Sequence, residues 1–275
     1  MPELPEVETI ARDVRPLLEG AAFRSARVLK PDVLRGVTRP AFERALAGRV
    51  VRAVSRRAKH LVILLYDGRR VVIQPRMTGS LLVTRRGAGH DPYAVIEARL
   101  STGGVLTYRD IRRLGAVHLL TPRAWARYTA RIGPEPLEPG FTPQRLAATL
   151  AGGALAVKKA LMDQRRLAGV GNIYANEALW RARLDPSRAA GSITAAEARR
   201  LHHALRALLS GAIRRRGTTV RDYRTGTGEA GEYQSRLDVY GRAGRPCRRC
   251  GASHPIAMTH AIDARATYFC PGCQH

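Results

Sequence analysis

The cysteines constrain the fold of this chain more than any other feature. All four lie in the last 29 residues as two Cys-x-x-Cys pairs, Cys247/Cys250 and Cys270/Cys273, with 19 residues between the pairs. This spacing is typical of a four-cysteine zinc site, in which each tight turn supplies two thiolates. Because so short a segment cannot form a core by itself, we predict one structural Zn²⁺ that stabilises its fold. Four cysteine ligands leave no open coordination position, so we assign this ion no catalytic role. Disulfides and redox chemistry are the alternatives.

The charge of the chain predicts a polyanionic partner. The 275 residues include 47 Lys+Arg and only 22 Asp+Glu, a net charge of +25. A monomer with this charge repels itself unless it meets a polyanion, and nucleic acid is the commonest one. A high-GC genome, which encodes arginine in place of lysine, would explain the choice of cation but explains the shortage of acidic residues less readily. No apolar stretch long enough to span a membrane and no signal-peptide pattern is present. We therefore expect a cytoplasmic protein with no membrane partner.

The first half of the chain has the pattern of one helix followed by strands. Apolar residues recur at helical spacing in Val7, Ile10, Val14 and Leu17, and Gly20 ends the pattern. From residue 22 to about 120, short apolar runs alternate with turns such as Asp67-Gly68 and 101–104, which are typical of β-hairpins. Consecutive antiparallel pairs predict an antiparallel β-sandwich with a leading helix.

The second half has a helical pattern. A Pro/Gly-rich stretch at 133–141 is interpreted as a linker. Helices are expected from residue 142, at 154–162, at 174–181, and from a capping box at 194–197 to about Gly217. The predicted fold class is a multidomain α+β protein. We divide it into a β-sandwich at 1–132, the linker, a helical domain at 142–236 and a cysteine hairpin module at 237–275.

The first six residues, Met1-Pro2-Glu3-Leu4-Pro5-Glu6, offer chemistry of their own. Removal of Met1 would leave the secondary amine of Pro2 as the N-terminus, and an α-amine titrates near pH ~8. Such an amine can attack a carbonyl-like carbon and form an iminium, while Glu3 and Glu6 move protons. The alternative is a plain helix start, with Pro5 in the first turn and acids near the helix N-terminus.

A second motif predicts a phosphate contact. Residues 167–174 form a glycine-broken turn that leads into a helix. Backbone amides at such a helix start bind phosphates, and Asn172 adds a side-chain donor. Lys158 on the preceding helix and Arg265 in the cysteine hairpin could contact phosphates too. Glycine turns between helices also occur for packing alone.

These three motifs together resemble the formamidopyrimidine-DNA glycosylase family. The opening Pro-Glu-Leu-Pro-Glu-Val-Glu, the Gly-Val-Gly-Asn-Ile-Tyr-Ala turn and the terminal four-cysteine hairpin follow each other in the family's order, nearly end to end. The family contains bacterial repair enzymes for 8-oxoguanine and ring-opened purines. The resemblance implies a β-sandwich, a helix–two-turn–helix domain and a zinc finger. It also implies a monomer that binds damaged double-stranded DNA in the bacterial nucleoid.

The resemblance also implies catalytic roles for four residues. Pro2 becomes the nucleophile on C1′ of the damaged nucleotide, and Glu3 the acid/base that opens the sugar. Glu6 is a further catalytic candidate because it stands beside them in the opening segment and can move protons. Lys59 contacts the lesion's phosphate and assists elimination, and Arg265 serves the second elimination. Successive β- and δ-elimination then leave a one-nucleotide gap.

Further residues are assigned by the same resemblance to DNA binding. Those that grip the backbone are His90, Lys158, Asn172 and Arg265. An enzyme cannot reach C1′ inside a stacked duplex, so the damaged nucleotide must be everted. Met77 and Arg112 then enter the hole that the everted base leaves. Residues 217–234, here called the lesion-capping segment, fold over the everted lesion.

Three departures from the family pattern leave other functions open. Leu114 stands where a phenylalanine wedge is usual, Gln74 where a histidine is common, and the gap between the cysteine pairs is longer. Leu114 favours an endonuclease VIII-type enzyme for oxidised pyrimidines, whereas the opening motif and the long capping segment favour the purine enzyme. A non-catalytic zinc-containing DNA-binding protein is the third hypothesis, but it leaves Pro2 and Glu3 without a role.

Overall fold

The computed structural model describes residues 2–85, 91–219, 223–262 and 264–275. The chain folds as two compact units, Met1–Ala130 with Ile213–Gln234, and Arg131–Ala212 with Ser235–His275. The sequence prediction grouped 213–234 with the helical domain instead. These residues lie in the first unit because Tyr223 is buried in that unit's hydrophobic core.

The first unit begins with helix α1, Leu4–Leu18, which has a proline in its first turn. Its apolar stripe continues to Leu18, which is fully buried, whereas Leu17 is 46% exposed. The remaining elements are β1 Phe23–Val28, β2 Leu34–Arg35, α2 Arg39–Leu46, β3 Val51–Arg57, β4 His60–Leu65, β5 Arg70–Gln74, β6 Gly79–Arg85, β7 Ala94–Leu100, β8 Gly104–Asp110, β9 Ala116–Leu120 and α3 Pro122–Thr129.

The strands of the first unit form two sheets, as the sandwich prediction requires. The four-stranded sheet has the order β1-β7-β8-β6, and the five-stranded sheet has the order β2-β9-β5-β4-β3. All pairs are antiparallel except β2–β9. The turn at Asp67-Gly68 joins β4 to β5 as predicted. One hydrophobic core contains residues of both sheets and of α1, so the first helix is part of the sandwich.

The second unit contains helices followed by short hairpins. Its elements are α4 Pro143–Leu150, α5 Val157–Met162, α6 Asn172–Ala182, α7 Ala195–Arg214, β10 Pro246–Cys247, β11 Gly251–Pro255, β12 Ala257–Thr259 and β13 Thr267–Phe269. α5 begins three residues later than expected. The expected linker is part of this unit, because Gly133 donates to the Gln164 carbonyl at 2.8 Å and Phe141 is buried. Among the described residues, no helix has both the length and the apolar character needed to cross a bilayer.

Candidate active site

The N-terminal residues are buried at the start of α1. Pro2 is buried, and Glu3 and Glu6 are 2% and 1% exposed. Glu3 is the N-cap residue, and its backbone N–H donates to Oε2 of Glu6 at 2.8 Å. The carboxylate of Glu6 therefore satisfies an amide that the helix cannot pair itself. The same residues serve as a helix start and form a cluster suited to proton transfer.

Glu6 also contacts the beginning of the lesion-capping segment. Its Oε1 accepts the backbone N–H of Thr218 at 2.8 Å, and its carbonyl accepts the Tyr223 hydroxyl at 3.3 Å. At Gly217, with φ +81°, a Cβ would lie 2.9 Å from Oε1 of Glu6. A side chain there would be strained and crowded, so glycine is required for this approach. Within that segment, residues 220–222 lie outside the described residues.

Lys59 lies in the tight turn between β3 and β4 and is 7% exposed. The preceding Ala58 has φ +52°, a conformation that costs an ordinary residue about 1 kcal/mol. Arg56 donates to the Ala58 carbonyl at 2.9 Å and pairs with Glu8 of α1 at 3.2 Å. The turn that carries Lys59 is therefore attached to α1, which begins two residues after Pro2.

His60 supports the same turn, and the sequence analysis did not identify it. Its Nδ1 lies 3.1 Å from the Arg57 carbonyl, and its Nε2 lies 2.9 Å from the Tyr128 hydroxyl. Burial lowers the pKa of His60 to about 4, so the ring is neutral at pH 7. A neutral imidazole donates one hydrogen bond and accepts the other, which matches these two partners. Tyr128 lies on α3, so local sequence contains no signal for this pair.

Met77, Arg112 and Leu114 lie at the surface of the first unit. Met77 and Leu114 are 41% and 45% exposed, so both present apolar surface to the solvent. Nη1 of Arg112 lies 3.4 Å from Sδ of Met77. The structure therefore brings together Met77 and Arg112, which the resemblance assigned to one task. The adjacent Ile111 is 44% exposed as well.

A buried carboxylate supports these exposed side chains. Asp110, 1% exposed, accepts hydrogen bonds from the Thr78 hydroxyl and, at 2.8 Å, from the Gly115 N–H. The Thr78 oxygen in turn accepts the Arg112 N–H at 3.0 Å. At Gly115 a Cβ would lie only 1.9 Å from the Tyr108 hydroxyl, so this position requires glycine. Met77 and Arg112 were predicted from the family resemblance, but the role of Asp110 in joining their segments was not.

In the second unit, the side chain of Lys158 is fully buried. Its Nζ donates to the Thr267 hydroxyl at 2.7 Å and the Ala266 carbonyl at 3.3 Å, and lies 3.5 Å from the Arg265 carbonyl. We predicted from the sequence that this ammonium grips a phosphate, and that role stays a prediction. In this structure the ammonium holds the β12–β13 hairpin. The side chain of Arg265 is exposed there.

Asn172 reaches the same hairpin. It is the first residue of α6, and Gly171 is the N-cap residue. Its Nδ2 donates to the Ala266 carbonyl at 3.1 Å. Lys158 and Asn172 therefore converge on residues 265–267. Of the other residues expected to grip DNA, His90 lies outside the described residues.

The four cysteines form a cluster that could hold a metal ion. The sulfurs of Cys247, Cys250, Cys270 and Cys273 all lie within 4.8 Å of one another, and none of the four forms a disulfide. The Cys247–Cys273 and Cys250–Cys270 sulfur distances are 4.0 and 3.8 Å. A tetrahedron with Zn–S bonds of about 2.3 Å has edges of about 3.8 Å. The donor set and its spacing therefore fit zinc.

Comparisons with known proteins agree with this geometry. Residues 1–117 match the model of the formamidopyrimidine-DNA glycosylase N-terminal domain, and residues 132–224 match the model of the H2TH domain of the same glycosylase. A formamidopyrimidine-DNA glycosylase of Thermomicrobium roseum is 43% identical, over 100% of this chain and 99% of the relative. The chain belongs to the formamidopyrimidine-DNA glycosylase family.

Solved structures of the family agree in fold. Wild-type Lactococcus lactis Fpg (MutM), in complex with DNA containing N7-benzyl-Fapy-dG, matches with a TM-score of 0.91 and 30% identity over 100% of both chains. The same protein, in complex with DNA containing an oxidised pyrimidine, matches with a TM-score of 0.91 and 29% identity over 100% of both chains. The predicted resemblance and fold class are confirmed, and the chain is a DNA glycosylase by family.

Proposed function

We propose that this chain is a bifunctional DNA glycosylase and AP lyase that excises oxidised purines, such as Fapy-dG and 8-oxoguanine, from double-stranded DNA. The observation that carries the proposal is the buried cluster of Pro2, Glu3 and Glu6 at the start of α1. Family membership and a Fapy-dG complex of a relative support the substrate class.

The N-terminal cluster would perform the reaction as follows. After Met1 is removed, the Pro2 nitrogen attacks C1′ and the glycosidic bond breaks, so that the base leaves with the bonding electron pair. Glu3 protonates the ring oxygen, the sugar opens, and the nitrogen and C1′ become an iminium. Loss of the 3′ phosphate by β-elimination and of the 5′ phosphate by δ-elimination removes the sugar. Hydrolysis then frees Pro2.

Basic side chains would hold the charged backbone during these steps. Lys59 contacts the lesion's phosphate and assists elimination, and Arg265 contacts a phosphate and serves the second elimination. Lys158 and Asn172 position the hairpin that carries Arg265, as their hydrogen bonds to residues 265–267 support. Each phosphate neutralised should lower log K by about 0.9 per log unit of salt.

Exposed side chains would fill the space of the everted nucleotide. Met77 and Leu114 offer apolar surface to the stack, and Arg112 offers donors to the orphaned base. Their exposure, on a frame held by buried Asp110, supports this assignment.

One zinc ion, held by the four cysteines, would stabilise the hairpin module in this proposal. We infer that the protein acts as a monomer in the bacterial cytoplasm, where it associates with the nucleoid through DNA. The net charge of +25 supports binding to a polyanion.

Oxidised pyrimidines are a second candidate substrate class. Leu114 in place of the usual aromatic wedge favours it, and a relative of 29% identity has been crystallised with DNA containing an oxidised pyrimidine.

Borohydride trapping tests the proposal. The expected result is a covalent adduct with duplexes that contain 8-oxoguanine or Fapy-dG. The adduct should be lost in Pro2→Gly and retained in Pro16→Ala, a control that changes a proline inside α1. Mass analysis of the N-terminus should show that Met1 is absent. An adduct with thymine glycol alone would favour the pyrimidine enzyme, and no adduct with any lesion would favour a DNA-binding protein without catalysis.

A further inference from the structure

The lesion-capping segment contacts α1 at two places. The first is Glu6, which accepts the Thr218 N–H. The second is Asp13, whose Oδ2 accepts the Gly226 N–H at 2.9 Å and lies 3.1 Å from Nη2 of Arg216. Residues seven apart lie on the same face of a helix, two turns from each other. One face of α1 therefore presents two carboxylates to the same segment.

Arg216 has a backbone conformation that arginine rarely adopts. Its φ is +59°, in the left-handed region that favours glycine. Such strain persists only where surrounding contacts hold the residue. Nη2 of Arg216 donates to the Thr227 hydroxyl at 2.9 Å and lies 3.4 Å from the Glu229 carboxylate, in addition to its pair with Asp13. The guanidinium therefore joins α1 to the 225–229 turn.

The 225–229 turn also has its own internal order. The Thr225 N–H donates to the Glu229 carbonyl at 2.9 Å, and the Gly228 N–H donates to the Thr225 carbonyl at 3.0 Å. At Gly226 a Cβ would lie 2.6 Å from Cβ of Asp13 and 3.2 Å from the Ile10 carbonyl oxygen, so the turn contacts the helix closely. With a side chain at position 226 the turn could not occupy this place. The close contact between the turn and α1 therefore requires glycine at this position.

We propose that Asp13 and Arg216 are positioning residues for base excision, which hold the 225–229 turn of the lesion-capping segment on α1, the helix that begins two residues after Pro2. The side chain of Asp13 is 11% exposed, so solvent competes little for its hydrogen bonds. This inference rests on the proposed function, because it assigns the segment to the everted base. Excision of a damaged base then depends on the pair, whereas lyase action on an abasic site, which has no base to cover, does not.

The experiment compares two substrates under single-turnover conditions. Asp13→Ala removes the carboxylate, and Arg216→Gly removes the guanidinium while glycine keeps φ +59° without strain. For both variants we expect excision of 8-oxoguanine to slow about tenfold, the size typical of one charge-assisted hydrogen bond. Cleavage of a preformed abasic site should stay within about twofold of the unaltered protein on the same scale.

Glu19→Ala is the matched control. Glu19 is a carboxylate at the end of α1 that also accepts a backbone N–H, from Val54 at 2.7 Å, and lies 3.8 Å from an arginine, Arg15. It should change neither rate. Equal losses on both substrates, or no loss on either in both variants, would overturn the inference. If the unaltered protein cleaves neither substrate, the proposed function itself fails.

Discussion

The two units support their functional residues in different ways. In the first unit, Glu3 caps α1 and Glu6 lies in its first turn, and the apolar face of this helix belongs to a core shared with both sheets. In the second, the hairpin that carries Arg265 is held by hydrogen bonds from Lys158 and Asn172 and lies next to a cluster of cysteines. The first arrangement depends on buried apolar surface, and the second on polar contacts and a proposed metal. A given perturbation should therefore destabilise one unit more than the other.

Removal of the metal should give the largest difference. We expect a chelator to abolish protection of the β10–β13 amides, because a structural zinc contributes about 10 kcal/mol or more to the folding of small modules. The strands of the first unit should keep their protection, since their core contains no cysteine. Hydrogen exchange with and without the chelator measures both, and added zinc should restore the hairpins. Unchanged hairpin protection after metal loss would remove the distinction between the units.

Acid should weaken the first unit through His60. Its pKa in the folded protein is about 4, below the ordinary value of 6.5, so the unfolded chain binds the proton more readily. Stability is therefore complete above pH 6.5 and falls as the pH drops towards 4, by about 3 kcal/mol in total. Urea unfolding monitored in β4 across this range measures the loss. In the double variant His60→Phe/Tyr128→Phe the free energy of unfolding should vary less with pH. If it still falls steeply with acid in this variant, groups other than His60 cause the pH dependence.

Asp110→Asn should weaken the frame under Met77 and Arg112. The Thr78 hydroxyl and the Gly115 N–H donate to different oxygens of Asp110, and asparagine replaces one of these oxygens with an NH₂ donor. We expect a loss of about 2 kcal/mol in the free energy of unfolding. Discrimination between damaged and undamaged duplexes should fall with it. Asp91→Asn, which alters an ion pair with Arg109, is the control and should cost less than about 1 kcal/mol. Equal effects of the two changes would argue against a special role for Asp110.

The smallest effect is expected from Asn172→Ala. It removes one neutral hydrogen bond to the Ala266 carbonyl, typically about 1 kcal/mol. We expect faster amide exchange in β13 and unchanged exchange in the first unit. This result would show that the bond stabilises the hairpin alone. Ser192→Ala removes a similar bond, to the Ala189 carbonyl, elsewhere in the second unit and should leave β13 unaffected. A loss of protection in β13 from Ser192→Ala as large as that from Asn172→Ala would contradict the assignment.

Local patterns predicted much of the fold. The cysteine spacing indicated the cluster because two tight turns and a hairpin suffice to bring four sulfurs together. The Asp67-Gly68 turn and the first helix were also found, since their signals lie within a few residues. Met77 and Arg112 were paired through family resemblance, and no periodicity in either segment indicates that they meet.

Contacts between distant segments could not be predicted. Nothing near His60 points to Tyr128, and nothing near Asp13 points to Arg216 or Gly226, because packing of whole elements decides these partners. The burial of Lys158 has the same origin, since it lies on α5 and its partner Thr267 lies in the β12–β13 hairpin. Its spacing from the glycine turn and the family resemblance predicted a phosphate contact, and neither indicates these hydrogen bonds.

The Tyr108 hydroxyl fills the space that a methyl group at residue 115 would need. Residue 115 therefore tolerates no side chain, whereas the neighbouring Leu114 is 45% exposed. A larger or smaller side chain at residue 114 would leave the loop beneath it unchanged. Under the proposed function, single substitutions there would change the apolar surface offered to the DNA stack without any change in its support.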